Sequence, residues 1–458
     1  MSKESQTVQP NRVLLVLCTA AFLVPFMGSA INLALPEIGE AFSMKAVTLT
    51  WMSTIYLITT AIFQVPFARL ADLIGRKKIF LLGVLSFSIC TILSGFSPTG
   101  GALLALRSLS GLGSAMMFGT NMAILTAVFP PHQRGRAMGI NVAVVYAALA
   151  AGPFLGGMLT HYFGWQSLFF ATGVIGLLVV MLSHFYLKAE WVEAKGEKFD
   201  LVGSVIYGIA LFGLIYGFTK LPSTDSFYWL SAGIILFVVF FLYERRLSSP
   251  VFNVKIFNGN RIFTLSSISM LINYAATSAV AFMLSLYLQY VRGFDARHAG
   301  LILISQACIQ AIFSLLAGRL SEKIAPSRLA TTGMAIIVLG LTGMSFITAE
   351  TSVTLLVVLL VMLGIGFGIF SSPNTNVIMS SVDKKYYGQA SATTGTMRLT
   401  GQAFSMGIAG MAIAINVGNR QITHEVYPEL LQSIRVTLVI FAALCVVGVY
   451  ASSQRTRK

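Results

Sequence analysis

Charge is scarce in this chain. Only 10% of its 458 residues are Asp, Glu, Lys or Arg, and 16 acids stand against 31 bases. So little charge cannot cover a water-soluble surface of this size, and with 56% hydrophobic residues and a mean hydropathy of +0.80 no soluble domain fits beside the apolar part. Cysteine is nearly missing as well. Cys18, Cys90, Cys308 and Cys445 all fall in apolar stretches, with neither CxxC nor metal-ligand spacing, and read as small buried hydrophobes. There is no Walker-type phosphate loop, which disfavours ATP-driven pumping, and neither a cofactor nor enzyme chemistry is expected.

What fills the chain instead is a series of fourteen apolar stretches separated by short polar turns. They run roughly over 13 to 33, 48 to 68, 78 to 96, 101 to 127, 136 to 160, 165 to 187, 199 to 219, 227 to 243, 262 to 290, 299 to 318, 328 to 348, 352 to 380, 387 to 416 and 434 to 452. Each approaches the roughly 20 residues a helix needs to cross about 30 Å of hydrocarbon. Lipid offers no hydrogen bonds to an open backbone, so stretches of this length must be helices. The chain therefore reads as an all-α integral membrane protein of 14 transmembrane helices. The first is taken as retained, because residues 1 to 12 are polar and no small-residue cleavage site follows.

In a soluble chain a net charge of +15 would suggest nucleic acid as a partner; here its placement makes it a topology signal. Of the 31 bases, only Lys45, Lys220, Arg292, Arg297, Arg420 and Arg435 fall in one set of alternate loops, and only Arg107 and Arg398 lie within spans. All others fall in the opposite loops and the tails. The positive-inside rule places both termini in the cytoplasm. Expected partners are a small-molecule substrate, the lipid bilayer and protons; nucleic acid is not among them, and the chain is read as a monomer in the cytoplasmic membrane.

The sequence also repeats. Ala68-Arg-Leu-Ala-Asp-Leu-Ile-Gly75 is echoed by Gly318-Arg-Leu-Ser-Glu-Lys-Ile-Ala325, and at nearly the same offset Arg134-Gly-Arg-Ala-Met-Gly139 is echoed by Tyr387-Gly-Gln-Ala-Ser-Ala392. Two six-helix halves with two extra helices between them account for both echoes. The expected units are an N-terminal bundle over 1–187, an inserted pair with its charged flanks over 188–261, and a C-terminal bundle over 262–458.

These residues resemble the major facilitator superfamily, and within it the 14-span drug/proton antiporters that include multidrug, quaternary-ammonium and tetracycline exporters. The likeness covers essentially the whole chain. Ala68 to Lys78 is similar to the loop signature G-x-L-A-D-[RK]-x-G-R-[RK]-[RK], with Ala68 in place of Gly and Leu73 in place of a base. Arg107, Gly111 and Gly113 resemble the fourth-span motif, with Ser110 where Gln is usual. Gly152-Pro153 with Gly156-Gly157 resembles the fifth-span antiporter motif, and Asn32 to Pro36, Trp165, Ser372-Pro373-Asn374 and Arg398 resemble the 14-span branch. The resemblance implies two bundles rocking about a central cavity, with export driven by proton antiport. One departure bears on mechanism: where that branch carries an Asp in the first span, this chain has Met27. Glu37 and Glu40 lie at an outer end, Asp72, Asp200, Glu244, Glu322 and Asp383 at inner loops, and no carboxylate is placed clearly in mid-membrane.

The residues suggest roles of their own. Arg107 keeps its charge when buried and so is expected to face a cavity, binding carbonyls, water or an anionic group of the substrate, or else to tie helices together. Arg398 is nearer a span end and either snorkels or serves the same cavity. Asp72 and Arg76, around Gly75, form a candidate charge latch that gates the transition, with Glu322 as counterpart; the alternative is an ordinary helix start. Gly152, Pro153, Gly156 and Gly157 allow close approach and a bend. Asn32, Gln64, Asn121, Asn141, Tyr146, Asn273, Gln306, Gln310 and Asn374 are candidate cavity residues, each equally suited to an interhelical hydrogen bond. His184 and His161 are minor candidates for moving a proton. The leading function is secondary active export of small amphipathic organic compounds. Uncoupled exchange of an anionic metabolite, with Arg107 as counter-charge, is an alternative, and a non-transporting sensor or scaffold is another.

Overall fold

A computed structural model describes residues 9–221, 223–247, 250–252, 254–257, 259–321, 323–382 and 387–455. Glu322 and Asp383 lie outside the described residues. Among the described residues the fold is all-helical, with one isolated β-bridge between Lys45 and Gln421. The long helices are α1 (Pro10–Ala41), α2 (Ala46–Ile74), α3 (Arg76–Gly95), α4 (Gly100–Val128), α5 (Pro131–Phe163), α6 (Trp165–Tyr186), α7 (Leu201–Lys220), α8 (Thr224–Glu244), α9 (Arg261–Ala275), α10 (Val280–Leu286), α11 (Ala296–Leu320), α12 (Pro326–Met344), α13 (Val353–Ser380), α14 (Tyr387–Asn416) and α15 (Tyr427–Ser453).

Local chemistry sets the starts. Proline opens α1, α5 and α12, where its missing N–H costs nothing. Side chains of Thr99, Asp200, Asn260, Asp295 and Ser352 accept a first-turn N–H of α4, α7, α9, α11 and α13. By length and composition 13 helices suit a membrane crossing, with α9 and α10 taken together as one of them. The helix over 387–416, expected as a span, is not in that set. Thr393, Thr394, Thr396, Arg398, Thr400 and Gln402 make it the most polar of the series, as befits a helix surrounded by protein.

Helices α1 to α6 pack among themselves, with α1 against α5 and α6, and α3 between α4 and α6; α9 to α15 form a second bundle in which α11, α12 and α13 pack in a row and α14 and α15 lie on α9. The bundles meet chiefly along α5 with α11 and α2 with α14. The hairpin α7–α8 lies against α2 and α14 chiefly through α7. Tyr207 of α7 donates to Ala61 O of α2 at 3.3 Å, and the Phe218 ring of α7 stands edge-on to Phe404 of α14 with centroids 5.7 Å apart, so the hairpin touches both bundles.

Two expectations need correction. The stretch over 262–290 is not one helix: the chain turns at 276–279 between α9 and α10, and α10 runs on into a π-helical turn, Tyr287–Val291. No Pro or Gly marks the place. Open backbone is tolerated at this depth only inside protein, and here Ala276 and Ala279 are fully buried while Ser405 Oγ of α14 accepts the freed Ala279 N–H at 2.9 Å. Glu244, counted with the loop acids, is the last residue of α8 and is completely buried, accepting from Phe252 N at 3.3 Å. Replacing Ser405 with Ala leaves the Ala279 N–H without its partner, which costs about 1–3 kcal/mol. Thermal unfolding in detergent should show Ser405→Ala melting several degrees below wild type, and an unchanged melting temperature would mean the break does not need this bond.

Candidate functional site

The start of α1 and the end of α15 lie at the same end of the helix stack, here the terminal end; the opposite end is distal. At the distal end polar contacts, most of them to backbone, join the bundles beside apolar side chains of one shared core. Ser285 Oγ of α10 donates to Asn32 O of α1 at 2.6 Å, and Gln289 Nε2 to Leu33 O at 3.3 Å. Ala46 N donates to Arg420 O at 2.8 Å, and Gln421 Nε2 to Ser43 O at 2.9 Å. Arg297 Nη1 donates to Tyr162 Oη at 2.8 Å, and His161 Nδ1 stands 3.7 Å from Asp295 Oδ2. Burial opposes ionisation of Asp295, but the backbone and ring N–H groups of His298 outweigh it and hold the carboxyl below its usual range.

The glycine motif of α5 serves two contacts at once. Gly152 and Gly156 face α1, where a Cβ would meet Ser29 Oγ and, at 2.6 Å, Ala30 Cβ. Pro153 and Gly157 present the next face to α11: a Cβ on Gly157 would strike Ala296 O, and one on Gly300 would strike Pro153 O. The motif therefore packs α5 within its own bundle and across the divide, with backbones too close for any side chain.

At mid-depth the bundles meet again. The Tyr146 hydroxyl of α5 contacts Ser371 Oγ of α13, with Tyr274 and Arg398 around it. The Arg398 guanidinium carbon of α14 stands 5.2 Å from the Phe118 ring centroid of α4, a cation–π contact that makes Arg398 a residue of the divide. Gln64 of α2 is buried with Oε1 unpaired, and its Nε2 lies 2.8 Å from where a Cβ on Gly395 of α14 would stand.

The other candidates distribute differently. Arg107 is 1% exposed and lies between α4 and α2: Nε donates to Met52 O at 3.3 Å, the guanidinium carbon is 4.3 Å from the Tyr56 ring centroid, and Nη2 has no partner. Tyr56, whose hydroxyl lies 2.6 Å from Ser114 Oγ, carries no charge and had no motif to point to it. Asn141 Nδ2 donates to Asn121 Oδ1 at 3.0 Å and Asn121 Nδ2 to Leu17 O at 2.8 Å, tying α5, α4 and α1 inside one bundle. Asn32 Oδ1 accepts from Ser53 Oγ at 3.2 Å. Asn273 is buried before the α9 break with Nδ2 unpaired, and Asn374 is buried between α13 and α9. Gln306 and Gln310 are half-buried, their carbonyls against Gly364 and Gly368 of α13. His184 is exposed near the end of α6. An apolar crevice of about 260 Å³ between α2 and α4, lined by Trp51, Ile55, Leu104, Ala105 and Ser108, contains none of the candidates.

The charged loop at the terminal end is fully built. Gly75 takes φ +125, a backbone conformation that favours glycine, and a Cβ there would meet the Glu190 carboxyl. This turn sets Arg76, which is 7% exposed, against Asp72: Nε donates to Oδ1 at 2.8 Å, while Nη1 donates to Glu193 Oε1 at 2.7 Å and Ala123 O at 3.3 Å. Asp72 does not cap α3; Glu190 Oε1 takes that place by accepting Lys77 N at 2.8 Å. Glu193 N and Ala194 N donate to Asp72 O, Trp191 O accepts from Arg76 N, and Arg69 pairs with Glu197 at 2.5 Å. The segment after α6 is thus strapped over the α2–α3 turn. Glu190, Glu193 and Glu197 were missed by sequence reasoning; four acids against three bases in the 14 residues after α6, in a chain short of acids and beside a basic loop, were the available sign. Glu193 is largely exposed, so its pair contributes at most about 1 kcal/mol. Arg76→Ala should loosen the strap and raise the rate of trypsin cleavage after Lys195 and Lys198 about fivefold, the equivalent of about 1 kcal/mol; an unchanged rate would remove Arg76 from the strap.

Known proteins share this arrangement. The family model described as Major Facilitator Superfamily matches residues 17–406 and 266–453. The riboflavin transporter RibZ of Clostridioides difficile is 27% identical over 397 residues, 87% of this chain and 86% of that protein. The multidrug resistance protein Stp of Mycobacterium tuberculosis is 29% identical over 417 residues, 88% of this chain and 76% of its own length. The methylenomycin A resistance protein of Bacillus subtilis is 28% identical over 424 residues, 90% of each chain. Among solved structures, a bacterial homologue of the human lysosomal transporter Spinster, inward-facing and unoccupied, covers 100% of both chains at a TM-score of 0.70 and 18% identity. With its two packed bundles, paired loop signatures and this family match along nearly its whole length, the chain belongs to the Major Facilitator Superfamily of transporters.

Proposed function

We propose that this protein is a secondary active transporter that exports small amphipathic organic compounds across the cytoplasmic membrane, probing alternate sides by rocking α1–α6 against α9–α15, with protons as counter-ion and both termini in the cytoplasm. The observation that carries the reading is the composition of the distal seam: beside the apolar packing that both bundles share, it is closed by hydrogen bonds to backbone oxygens and two glycine-backbone approaches. The hydrogen bonds and close backbone contacts are short-ranged and break on a small rigid rotation. Resistance and export proteins among the relatives support the direction and substrate class. In this pose the substrate enters from the terminal end, and Tyr146, Arg398 and Gln64 line its path.

A second reading rests on Arg107. Its Nη2 is buried and unpaired, and no carboxylate pairs with it among the described residues. An anionic metabolite exchanged without protons would supply the missing acceptor.

Purified protein in liposomes with a trapped pH dye, given gradients of amphipathic cations, neutral drugs and organic anions, separates the two. Substrate flux with matching proton counter-movement supports antiport; flux of an anion alone, lost in Arg107→Ala, supports the second reading; no flux of any compound refutes both. In the same assay Gly157→Leu should cut flux at least tenfold while leaving the helical content intact, because the side chain wedges α5 from α11. Wild-type flux in that variant would exclude the α5–α11 approach from the cycle.

A further inference from the structure

Arg455 follows the last turn of α15, and its side chain folds back into protein, 7% exposed. Nη1 donates to Asn374 Oδ1 of α13 at 2.6 Å, and Asn374 Nδ2 donates to Ser266 O of α9 at 3.2 Å. One guanidinium corner and one amide thus tie three helices together at the terminal end. Among the described residues the other donors go unused: Nε and Nη2 have no partner, and the completely buried hydroxyls of Ser266 and its neighbour Ser267 have none either.

An arginine just past a helix C-terminus ordinarily spends its donors on the last carbonyls. Arg455 Nε and Nη2 reach none of them. Burial lowers its pKa to about 10, which still leaves it charged at neutral pH. Among the described residues no carboxylate pairs with it. A desolvated guanidinium without a counter-charge is strongly unfavourable. The free pair, Nε and Nη2, is the side-on edge of the guanidinium, where two N–H bonds point in parallel and match two oxygens of one tetrahedral or planar oxyanion. The hydroxyl of Ser266, whose carbonyl accepts from Asn374, is a further unused donor on the same residue.

We infer that Arg455, Asn374 and Ser266 form a binding site for a phosphate-type oxyanion at the terminal end of the second bundle, with Arg455 as its bidentate ligand. Inorganic phosphate and the phosphodiester of a membrane lipid offer the same oxygens. With both termini on the cytoplasmic side, a lipid would come from the inner leaflet. The bound anion would neutralise Arg455 and hold α9, α13 and α15 together where the chain leaves the membrane.

The test uses the full chain, delipidated in detergent in gluconate buffer, and follows thermal unfolding as inorganic phosphate is added. Native mass spectrometry is run in parallel on protein taken from bilayers of phosphatidylglycerol with phosphatidylcholine. If the free anion is the ligand, phosphate raises the melting temperature of wild type and of the control Arg328→Gln, while Arg455→Gln responds at least tenfold more weakly. If a lipid is the ligand, phosphate has no effect and wild type retains a phospholipid that Arg455→Gln loses. Should Arg455→Gln fail to fold, Arg455→Lys keeps the charge without the fork and must still bind phosphate or lipid at least tenfold more weakly. Equal phosphate response and equal lipid retention in wild type and variant, or an Arg455→Met protein as stable as wild type under all conditions, overturns the site.

Discussion

Lipid gives helices no hydrophobic reason to stay together, so this fold depends on backbones brought close enough for van der Waals contact and on partners for the backbone groups freed where helices break. Glycine supplies the closeness. In α3 and α4, Gly83 and Gly113 stand where any Cβ would overlap the opposing backbone, and Gly333 and Gly366 repeat that arrangement in α12 and α13. The same device at Gly157 and Gly300 joins the two bundles. Because dispersion between close backbones is short-ranged, a small rigid rotation removes it. Tight packing within each bundle and close approach across the divide therefore come from one kind of contact used in two places.

Polar satisfaction shapes the rest. The turn at 276–279 would be unfavourable in lipid, yet it lies inside protein and its Ala279 N–H meets Ser405, so α9 and α10 aim differently and Ser285 and Gln289 reach α1. Arg107, without an acid, is accommodated by the face of Tyr56 and the carbonyl of Met52. The α7–α8 pair adds little to either bundle's interior. Through Tyr207, Trp51 against Tyr216 and Phe218 against Phe404 it rests on α2 and α14, the helices that meet across the divide. It stands where it would follow or resist their relative motion.

The helices were legible in the sequence because apolar length is a strong local signal, and the loop signature at Ala68 to Lys78 marked a true charged turn. Site residues were legible only as types. Asn121 and Asn141 carry the same side chain as Asn32 and look alike in sequence, yet the first two bond each other within one bundle while Asn32 sits at the seam with its carbonyl bonded across it. Tyr56, Glu190 and Ser405 had no motif to announce them, since each matters through a partner distant in sequence.

The sequence by itself determined that this chain crosses a membrane as helices, and its alternating basic loops and internal repeat raised the expectation of two related halves with a pair between them, since all of these are properties of the chain read in order. Tertiary structure alone decided which glycine face turns to which bundle, where the ninth span breaks, that Glu244 is buried, and which guanidiniums keep unused donors. Each of those depends on what a helix far away in sequence presents at the point of contact, and the order of residues carries no record of that approach.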